Sequence, residues 1–578
     1  MSRDRPLVTA WPVSGRKSGL GCRQYIRSPV SIVPRVATLS RSDGTRDSLN
    51  RPPPLQGYNL FLENRPLVEA LDREGAGWAA DRAVAFGALL TGEPVEWGRL
   101  ANEHPPRLRT HDRFGDRIDE VEFHPAWHEL MRTSIEHGLH ALSWRESQPG
   151  AHVGRAALFF LMAQIEAGHG CPISMTHAAV ATLRADPGLA AEWEPRLLSL
   201  VYEPGLRPPV EKRGVLCGMA MTEKQGGSDV RANTTVARAL GGGEYELVGH
   251  KWFCSAPMCD VFLVLAQAER GLSCFLLPRV LEDGTRNGFR IQRLKDKLGD
   301  RSNASSEIEF EAAWARLVGE EGRGVQTIIA MVNHTRLDCV LGTAAAMRAA
   351  VEQATHHAAH RSAFGKLLVE QPLMQNVLAD LCLESEAATL TALRIAGAYD
   401  RSERDFARIA TAVAKYWICK RGPGHAAEAL ECLGGNGYVE ESGMPRLYRQ
   451  QPLQSIWEGS GNVICLDVVR ALRRTPETLD VFTAECREAA GADRRFDEWL
   501  AALERELGDD IDLERRARRV VEQMALALQA SLLMRYGGSA VADAFCASRL
   551  AGDRRLAYGT LPGAAHAAAI IDRHRPRL

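Results

Sequence analysis

Residues 219–230 read MAMTEKQGGSDV, a polar, glycine-bearing loop that follows a β-rich run ending near Met221. Gly226 and Gly227 can adopt positive φ and let backbone N–H groups converge on an anion. The hydroxyls of Thr222 and Ser228 can bond heterocycle or phosphate atoms. For a loop of this kind taken alone an ordinary turn is the commoner explanation, so the flanking sequence has to be considered.

The loop lies where the hydrophobic period of the chain changes. Upstream, residues 66–200 have a helical pattern, with apolar faces at three- and four-residue spacing in 155–168. From residue 216 short β-rich runs separated by turn residues follow, at 244–255, 261–267, 272–278, 289–294 and 307–313. Such spacing predicts an antiparallel barrel or sandwich of about 100 residues. Helical periodicity returns after residue 319, so the predicted fold is α+β, ordered helical, β, helical.

Composition excludes several classes of protein. The chain of 578 residues holds 71 basic and 72 acidic residues, which excludes a uniformly basic nucleic-acid binder but not a local basic patch. No run of 18 apolar residues occurs, so we expect no membrane-spanning helix. Thirteen scattered cysteines without a CxxC pair favour a reducing, cytoplasmic setting.

Other chemistry-bearing motifs are weak or missing. There is no Walker A loop, no GxGxxG after a strand and no GxSxG elbow. Glu166 and His169 have the ExxH spacing of a di-iron helix, but a di-iron bundle needs a second such pair. His356 and His360 share a helix face, as solvated histidines often do. We therefore predict no metal site.

Four further stretches of sequence help to interpret this loop. They read GHKWFCS at 249–255, RSAFGK at 361–366, LGGNGYVEE at 433–441 and IWEGSGN at 456–462. Together with the loop they resemble, in order and spacing, the signatures of acyl-CoA dehydrogenases, whose MTE-x-x-x-GSD loop wraps the flavin of FAD. The α–β–α order is similar to that family's fold.

Finer detail resembles the AidB branch of this family, adaptive-response flavoproteins linked to alkylation damage. The similar stretches are LKDKLGDRSNASSE at 294–307, PRLYR at 445–449 and SIWEGSGN at 455–462, followed by a helical extension of about 110 residues. The resemblance spans residues 48–578. It implies an acyl-CoA dehydrogenase-like fold with a helical N-terminal domain, a middle β-barrel or sandwich and a C-terminal helical bundle, to which the helical extension is added.

The resemblance also implies residue roles. Glu458 would be the catalytic base, and Arg361 would reach the FAD of a neighbouring subunit. Phe253, Pro372 and Ala363 depart from the Trp, the Gln and the hydroxyl residue usual in the family. The expected FAD-binding residues are Met219, Ala220, Met221, Thr222, Glu223, Lys224, Gln225, Gly226, Gly227, Ser228, Phe253, Cys254, Ser255, Arg361, Ile456, Trp457, Gly459, Ser460, Gly461, Asn462 and Leu466.

We expect five segments. Residues 1–37 form a basic, acid-poor extension whose composition is that of a disordered tail, a misassigned start or a transit peptide. The others are an N-terminal helical domain (38–215), a middle β domain (216–318), a four-helix-type domain carrying Glu458 (319–470) and a helical extension (471–578). A homotetramer assembled mainly through 319–470 follows from the resemblance.

Charge is polarised within the extension. Residues 467–514 carry a formal charge of −7 and residues 515–578 a charge of +7, with no lysine in either. Arg515, Arg516, Arg518 and Arg519 form one run. They could bind duplex DNA non-specifically through its phosphates, or pair with the acidic segment before them. The resemblance to AidB favours DNA.

The predicted function is that of an FAD-dependent dehydrogenase with weak activity on small acyl-CoA thioesters, combined with non-specific binding of double-stranded DNA in the response to alkylation damage. An ordinary acyl-CoA dehydrogenase of fatty-acid or branched-chain catabolism is the alternative. The extension of about 110 residues discriminates the two, because catabolic enzymes of ordinary length lack it.

Overall fold

A computed structural model describes residues 50–509, 511–552, 555–563 and 566–577, so the predicted 1–37 extension lies outside the described residues. Among these residues no helix is both long and apolar enough to cross a membrane. Each of the twelve cysteines they include is a buried free thiol.

The N-terminal part is mostly helical, as its periodicity predicts. Its elements are α1 (Arg65–Arg73), α2 (Ala80–Leu90), α3 (Glu93–Glu103), β1 (Arg107–His111), β2 (Arg117–Glu122), α4 (Pro125–Glu136), α5 (Leu142–Arg145), α6 (Ala151–Ile165), α7 (Gly170–Leu183) and α8 (Pro187–Leu197). Helix α6 is buried on nearly all sides. The antiparallel β1–β2 hairpin was not expected from the sequence, because its strands are charged and lack an apolar stripe.

The middle region forms a closed barrel. Its strands are β3 (Cys217–Ala220), β4 (Val236–Gly241), β5 (Glu244–Ser255), β6 (Val261–Ala268), β7 (Gly271–Pro278), β8 (Phe289–Leu294) and β9 (Ser305–Val318). The ring runs β6-β4-β5-β9-β7 and closes through β6–β7, with β3 beside β6 and β8 beside β9. Most pairs are antiparallel as predicted, but β3 and β4 pair with β6 in parallel, so the sheet is mixed.

Long helices follow the barrel. The main elements are α9 (Gly324–His360), a two-stranded hairpin of β10 (Ser362–Ala363) and β11 (Lys366–Leu367), α10 (Pro372–Asp400), α11 (Arg404–Cys432), α12 (Met444–Gln454) and α13 (Gly461–Arg474). Helices α9, α10 and α11 bury most of their length against one another. Pro372, where the family usually has Gln, begins α10 at a position that needs no backbone N–H donor.

The extension packs onto this bundle. It contains α14 (Glu477–Arg487), α15 (Arg494–Leu507), α16 (Leu513–Tyr536), α17 (Ser539–Phe545) and α18 (Ala567–His574). Arg549 pairs with Asp380 and Glu384, which are buried in α10. Arg573 of α18 bonds Glu386 of α10 at 3.0 Å and also pairs with Glu69. Breaking one partner of a buried ion pair costs about 3–5 kcal/mol, so these contacts anchor the extension.

Candidate active site

A cavity of about 560 Å³ lies between the barrel and the helices. Its walls come from the loop after β3, the end of β5, helices α6, α7 and α9, and the segment between α12 and α13. Of the residues expected to bind FAD, those that line it are Met219, Met221, Thr222, Gly227, Ser228, Phe253, Ser255, Ile456, Trp457, Gly459 and Ser460. The loop, the strand and the later segment, far apart in sequence, therefore meet at one cavity.

Glu223 stabilises the loop through contacts that lie away from the cavity. Its buried carboxylate lies 2.8 Å from Lys251 Nζ on β5 and accepts hydrogen bonds from the backbone N–H groups of Thr234 at 2.6 Å and Thr235 at 3.1 Å. Burial by itself would raise the pKa of Glu223, but the charge of Lys251 and these hydrogen bonds hold that pKa well below its usual range. This residue therefore shapes the loop without facing the cavity.

The geometry of the loop explains why residues 226 and 227 are both glycine. Gly226 has φ +144°, a conformation that other residues rarely adopt. A Cβ on Gly227 would lie 2.4 Å from Thr222 Oγ1, so any side chain there would displace this hydroxyl. Among the described residues no acceptor bonds the backbone N–H of Gly227 or Ser228, which leaves both donors at the cavity wall for a ligand.

The end of β5 presents alternate side chains to the cavity. Phe253 and Ser255 line it, whereas the side chain of Cys254 between them is buried on the other face. Phe253 is 52% exposed, and Lys295 Nζ lies 4.4 Å from its ring centroid. The hydroxyl of Ser255 lies 3.5 Å from that of Ser305. An exposed ring and a hydroxyl thus stand on the barrel side of the site.

Glu458 enters the cavity from the helical side. It lies between α12 and α13 with φ +58°, a left-handed conformation that is costly for a residue with a Cβ. Thr335 Oγ1 on α9 donates a hydrogen bond to Glu458 Oε2 at 2.8 Å. Burial raises the pKa of Glu458, although this hydrogen bond and the positive charges of Arg336 and Lys415 oppose the rise.

Residues that sequence motifs did not single out hold Glu458 in place. Arg336 Nε donates to the backbone carbonyl of Glu458 at 3.0 Å, and Lys415 Nζ donates to that of Gly459 at 2.5 Å. Asp467 in turn accepts from Arg336 Nη1 at 2.8 Å. These contacts join residues far apart in the sequence, so no local sequence motif predicts them. They fix the strained backbone around a carboxylate that faces the cavity.

Glu166 and His169, the ExxH pair, lie on the cavity wall but are hydrogen-bonded to each other and to other protein groups. His169 Nδ1 lies 2.8 Å from Glu166 Oε2, and its Nε2 lies 2.9 Å from Ser134 Oγ. Ser302 donates to Glu166 Oε1 at 2.7 Å, as does Asn102 at 2.9 Å. Burial would raise the pKa of Glu166, but the hydrogen bonds from His169 and Asn102 hold it well below its usual range. These contacts give His169 a structural role in the wall of the cavity.

The remaining expected cofactor residues do not line this cavity. Arg361 donates to the backbone carbonyl of Asn50 at 2.8 Å, and the exposed Asn462 and Leu466 lie one turn apart on α13. A role for Arg361 at a neighbouring subunit's site stays a prediction. The full set outside the lining is Ala220, Glu223, Lys224, Gln225, Gly226, Cys254, Arg361, Gly461, Asn462 and Leu466.

The four arginines expected to bind DNA share α16 but differ in their contacts. Arg516 lies 2.5 Å and Arg519 3.3 Å from the carboxylate of Glu506, in the acidic segment. Arg518 donates to Asn462 Oδ1 at 2.8 Å. Arg515 is exposed and has no partner among the described residues. Contacts within the protein therefore involve part of this arginine run.

Three family models match the chain in succession: the adaptive response protein AidB N-terminal domain over residues 50–204, the acyl-CoA dehydrogenase middle domain over 218–313 and the acyl-CoA dehydrogenase C-terminal domain over 322–473. AidB of Escherichia coli (strain K12) is 48% identical over 509 residues, which cover 87% of this chain and 94% of that protein. The chain belongs to the acyl-CoA dehydrogenase family.

Other relatives agree with this assignment. Acyl-CoA dehydrogenase family member 11 of Caenorhabditis elegans is 33% identical over 441 residues, covering 72% of this chain and 70% of that protein. The crystal structure of C. elegans ACDH-11 in complex with C11-CoA matches with a TM-score of 0.80 and 28% identity, over 91% of this chain and 96% of that one. The predicted fold class and the AidB-type resemblance are confirmed. The chain is a flavoprotein oxidoreductase of the acyl-CoA dehydrogenase type.

Proposed function

We propose that this protein binds FAD in the cavity and dehydrogenates small acyl-CoA thioesters, with Glu458 as the base. The observation that carries the proposal is the placement of Glu458. A carboxylate with a raised pKa, held by Thr335, faces the same cavity as the β-domain loop and the end of β5. The relative solved with C11-CoA supports a thioester of coenzyme A as the substrate class.

The α-hydrogen of a thioester is only weakly acidic, so its removal needs a well-placed base and stabilisation of the enolate that forms. Glu458 Oε1 or Oε2 would take this proton, and the strained backbone held by Arg336 and Lys415 would keep the carboxylate aimed. The raised pKa makes Glu458 a stronger base than an exposed glutamate. The chemistry that FAD supplies when bound is hydride acceptance.

The hydrogen-bonding groups at the cavity wall suit a flavin. Two free backbone N–H groups at Gly227 and Ser228, the hydroxyls of Thr222 and Ser255 and the exposed ring of Phe253 surround it. A polar heterocycle with acceptor atoms and a flat face suits such a set. The loop 219–228, the end of β5 and the segment 456–466 would hold FAD, with Asn462 toward its adenosine end.

We also propose non-specific binding of duplex DNA, supported by the relation to AidB. In this chain Arg515 and Arg519 are the members of the run best placed to meet phosphates. Arg515 is exposed, and Arg519 is 68% exposed although it pairs with Glu506 at 3.3 Å, whereas Arg516 and Arg518 hydrogen-bond neighbouring elements. A homotetramer built through 319–470 and a cytoplasmic setting complete the proposal.

The experiment is anaerobic titration of the purified, yellow protein with a panel of acyl-CoA thioesters of increasing chain length. We expect bleaching of the flavin absorbance by at least one short thioester, and FAD in the supernatant after denaturation. Release of FMN would contradict the cofactor, as would well-folded protein without flavin. Unbleached FAD with every thioester would contradict the activity but not the cofactor.

A further inference from the structure

Three histidines from three helices meet where the N-terminal helices pack on the bundle. His152 lies in the first turn of α6, His177 in α7 and His334 in α9. One ring nitrogen of each lies within 4.8 Å of those of the other two. The rings of His152 and His334 are stacked with centroids 5.6 Å apart, and His177 meets His334 edge-on at 5.3 Å. We call these residues the histidine triad.

Two of the three rings keep both nitrogens free of protein partners. Within the described part of the chain, nothing hydrogen-bonds a ring nitrogen of His152 or His334, although His334 is only 8% exposed. These nitrogens are not among the fully buried polar atoms without a partner, so they lie where water or an ion can reach them.

The hydrogen bonds of His177 permit the tautomer that a metal needs. Its Nδ1 lies 3.2 Å from the carbonyl oxygen of His140. Trp144 Nε1 lies 2.9 Å both from that Nδ1 and from the carbonyl oxygen of His177. With its proton on Nδ1, His177 donates to His140, and Trp144 Nε1 gives up its contact with Nδ1 and donates to the His177 carbonyl alone. Nε2 then keeps a lone pair, the arrangement by which backbone carbonyls orient metal-binding histidines.

We propose that the histidine triad binds one divalent transition-metal ion, with Zn²⁺ the best fit. Three neutral imidazoles with an open fourth position are a common zinc ligand set. Zinc–nitrogen bonds of about 2.0–2.1 Å put ligand nitrogens roughly 3.3 Å apart, so the rings must close by an ångström or more from 4.8 Å. His152, at the start of α6 and partly exposed, has the freedom to do so.

The positive charges near the triad are each paired with a carboxylate. Arg155 and Arg184, whose charges reach His152, bond Asp338 at 2.9 Å and Glu194 at 2.8 Å, and these carboxylates offset their repulsion of a cation.

An ion here would cross-link α6 and α7 to α9. His334 directly precedes Thr335, whose hydroxyl bonds Glu458, so the same turn of α9 carries a metal ligand and the support of the base. The site is separate from the cavity in its ligands, and its function is to fix this helix packing.

The test is equilibrium dialysis of tag-free, flavin-loaded protein against ZnCl₂, with bound zinc measured by elemental analysis. We expect one ion per chain in the wild type and at least tenfold weaker binding in His152→Ala and His334→Ala. His360→Ala is the matched control on α9, and it should bind as the wild type does, because His360 Nδ1 already bonds the His356 carbonyl at 2.8 Å. Co²⁺ should give visible absorption bands of four-coordinate cobalt in the wild type and the control only.

Zinc should also raise the melting temperature of the wild type and the His360→Ala control, but not that of either triad variant. No bound ion in the folded wild type overturns the proposal, as does equal binding by the wild type and both triad variants. Loss of binding in His360→Ala would place the ion elsewhere and overturns it too. If one triad variant fails to fold, the other and the wild-type stoichiometry decide.

Discussion

Arg518 Nε donates a hydrogen bond to Asn462 Oδ1 at 2.8 Å, and this contact joins α16 of the extension to the first turn of α13. The sequence assigned these two residues to different ligands, Arg518 to DNA and Asn462 to FAD. Nη2 of the same guanidinium lies 3.5 Å from the position of a Cβ on Gly461. Arg518 therefore orients the segment that follows Glu458, and the extension contributes to the shape of the proposed cofactor site.

We predict that Arg518→Gln weakens FAD binding. Loss of one exposed, charged hydrogen bond costs about 1 kcal/mol or less, which corresponds to at most about a fivefold rise in the Kd for FAD. The measurement is flavin fluorescence on rebinding to the apoprotein. Arg515→Gln, an exposed neighbour on the same helix, is the control and should leave the Kd unchanged. Equal Kd values in both variants and the wild type would show that the contact does not shape the site.

Glu458→Gln should retain FAD and lose flavin reduction by acyl-CoA. The amide keeps the size of the side chain but cannot take a proton, and a general base contributes roughly 10²–10⁴-fold to rate. Stopped-flow bleaching of the flavin gives the rate, and the absorbance ratio of flavin to protein gives the cofactor content. A reduction rate equal to that of the wild type would assign the base to another residue.

Thr335→Val should shift the pH dependence of flavin reduction. The hydroxyl of Thr335 stabilises the carboxylate of Glu458, so its removal raises the pKa of Glu458 further above the ordinary value. The base works only when deprotonated, and the acid limb of the pH–rate profile should therefore move to higher pH.

Thr343→Val is the control for this variant. Thr343 lies on the same helix, and its hydroxyl bonds the Cys339 carbonyl at 2.8 Å, away from Glu458. Its profile should coincide with that of the wild type. An acid limb that moves to lower pH in Thr335→Val would show that the hydrogen bond does not favour the charged form.

The barrel was largely predictable because its strands carry continuous apolar runs, as in β6 and β7, or partly alternating ones, as in β5 and β9. The five runs expected at 244–255, 261–267, 272–278, 289–294 and 307–313 all lie in strands. Strand β4 (VARALG) was missed because its residues are nearly all exposed, so burial imposes no alternation on its sequence.

The supports of the candidate site could not be predicted in this way. Thr335 lies 123 residues before Glu458, and only the packing of α9 against the α12–α13 segment brings them together. The histidine triad likewise comes from three helices, so no spacing rule finds it. Local motifs locate residues that touch a shared ligand, whereas contacts between distant helices depend on tertiary structure.

We predict that Phe364→Asp disrupts the proposed homotetramer. Phe364 is 99% exposed at the tip of the β10–β11 hairpin, within the segment expected to form the interface. The segment RSAFGK at 361–366, which carries this ring, is the one that the family resemblance places against a neighbouring subunit, and a carboxylate there would oppose burial of the ring. Light scattering at micromolar concentration should show smaller species. Phe114→Asp, at a residue 74% exposed outside 319–470, should leave the wild-type assembly intact.

The last prediction separates DNA binding from internal pairing. Replacing all four arginines of the run would also break the hydrogen bond of Arg518 with Asn462 and the ion pair of Arg516 with Glu506. The sharper variant is Arg515→Gln with Arg519→Gln, which keeps both of those contacts and breaks only the exposed ion pair of Arg519 with Glu506 at 3.3 Å. They lie four residues apart on one helix face.

Removing one arginine–phosphate interaction reduces the slope of log K against log salt by about 0.9, so the double variant should reduce it by up to about 1.8 and bind duplex DNA more weakly at low salt. The control is Arg207→Gln with Arg238→Gln, which removes the same charge from side chains 49% and 69% exposed on other parts of the molecule. Both variants should keep their flavin. If the double variant and its control bind DNA with equally reduced affinity, the affinity depends on net charge and not on α16. If neither variant differs from the wild type, α16 does not bind DNA and its arginines stabilise the fold.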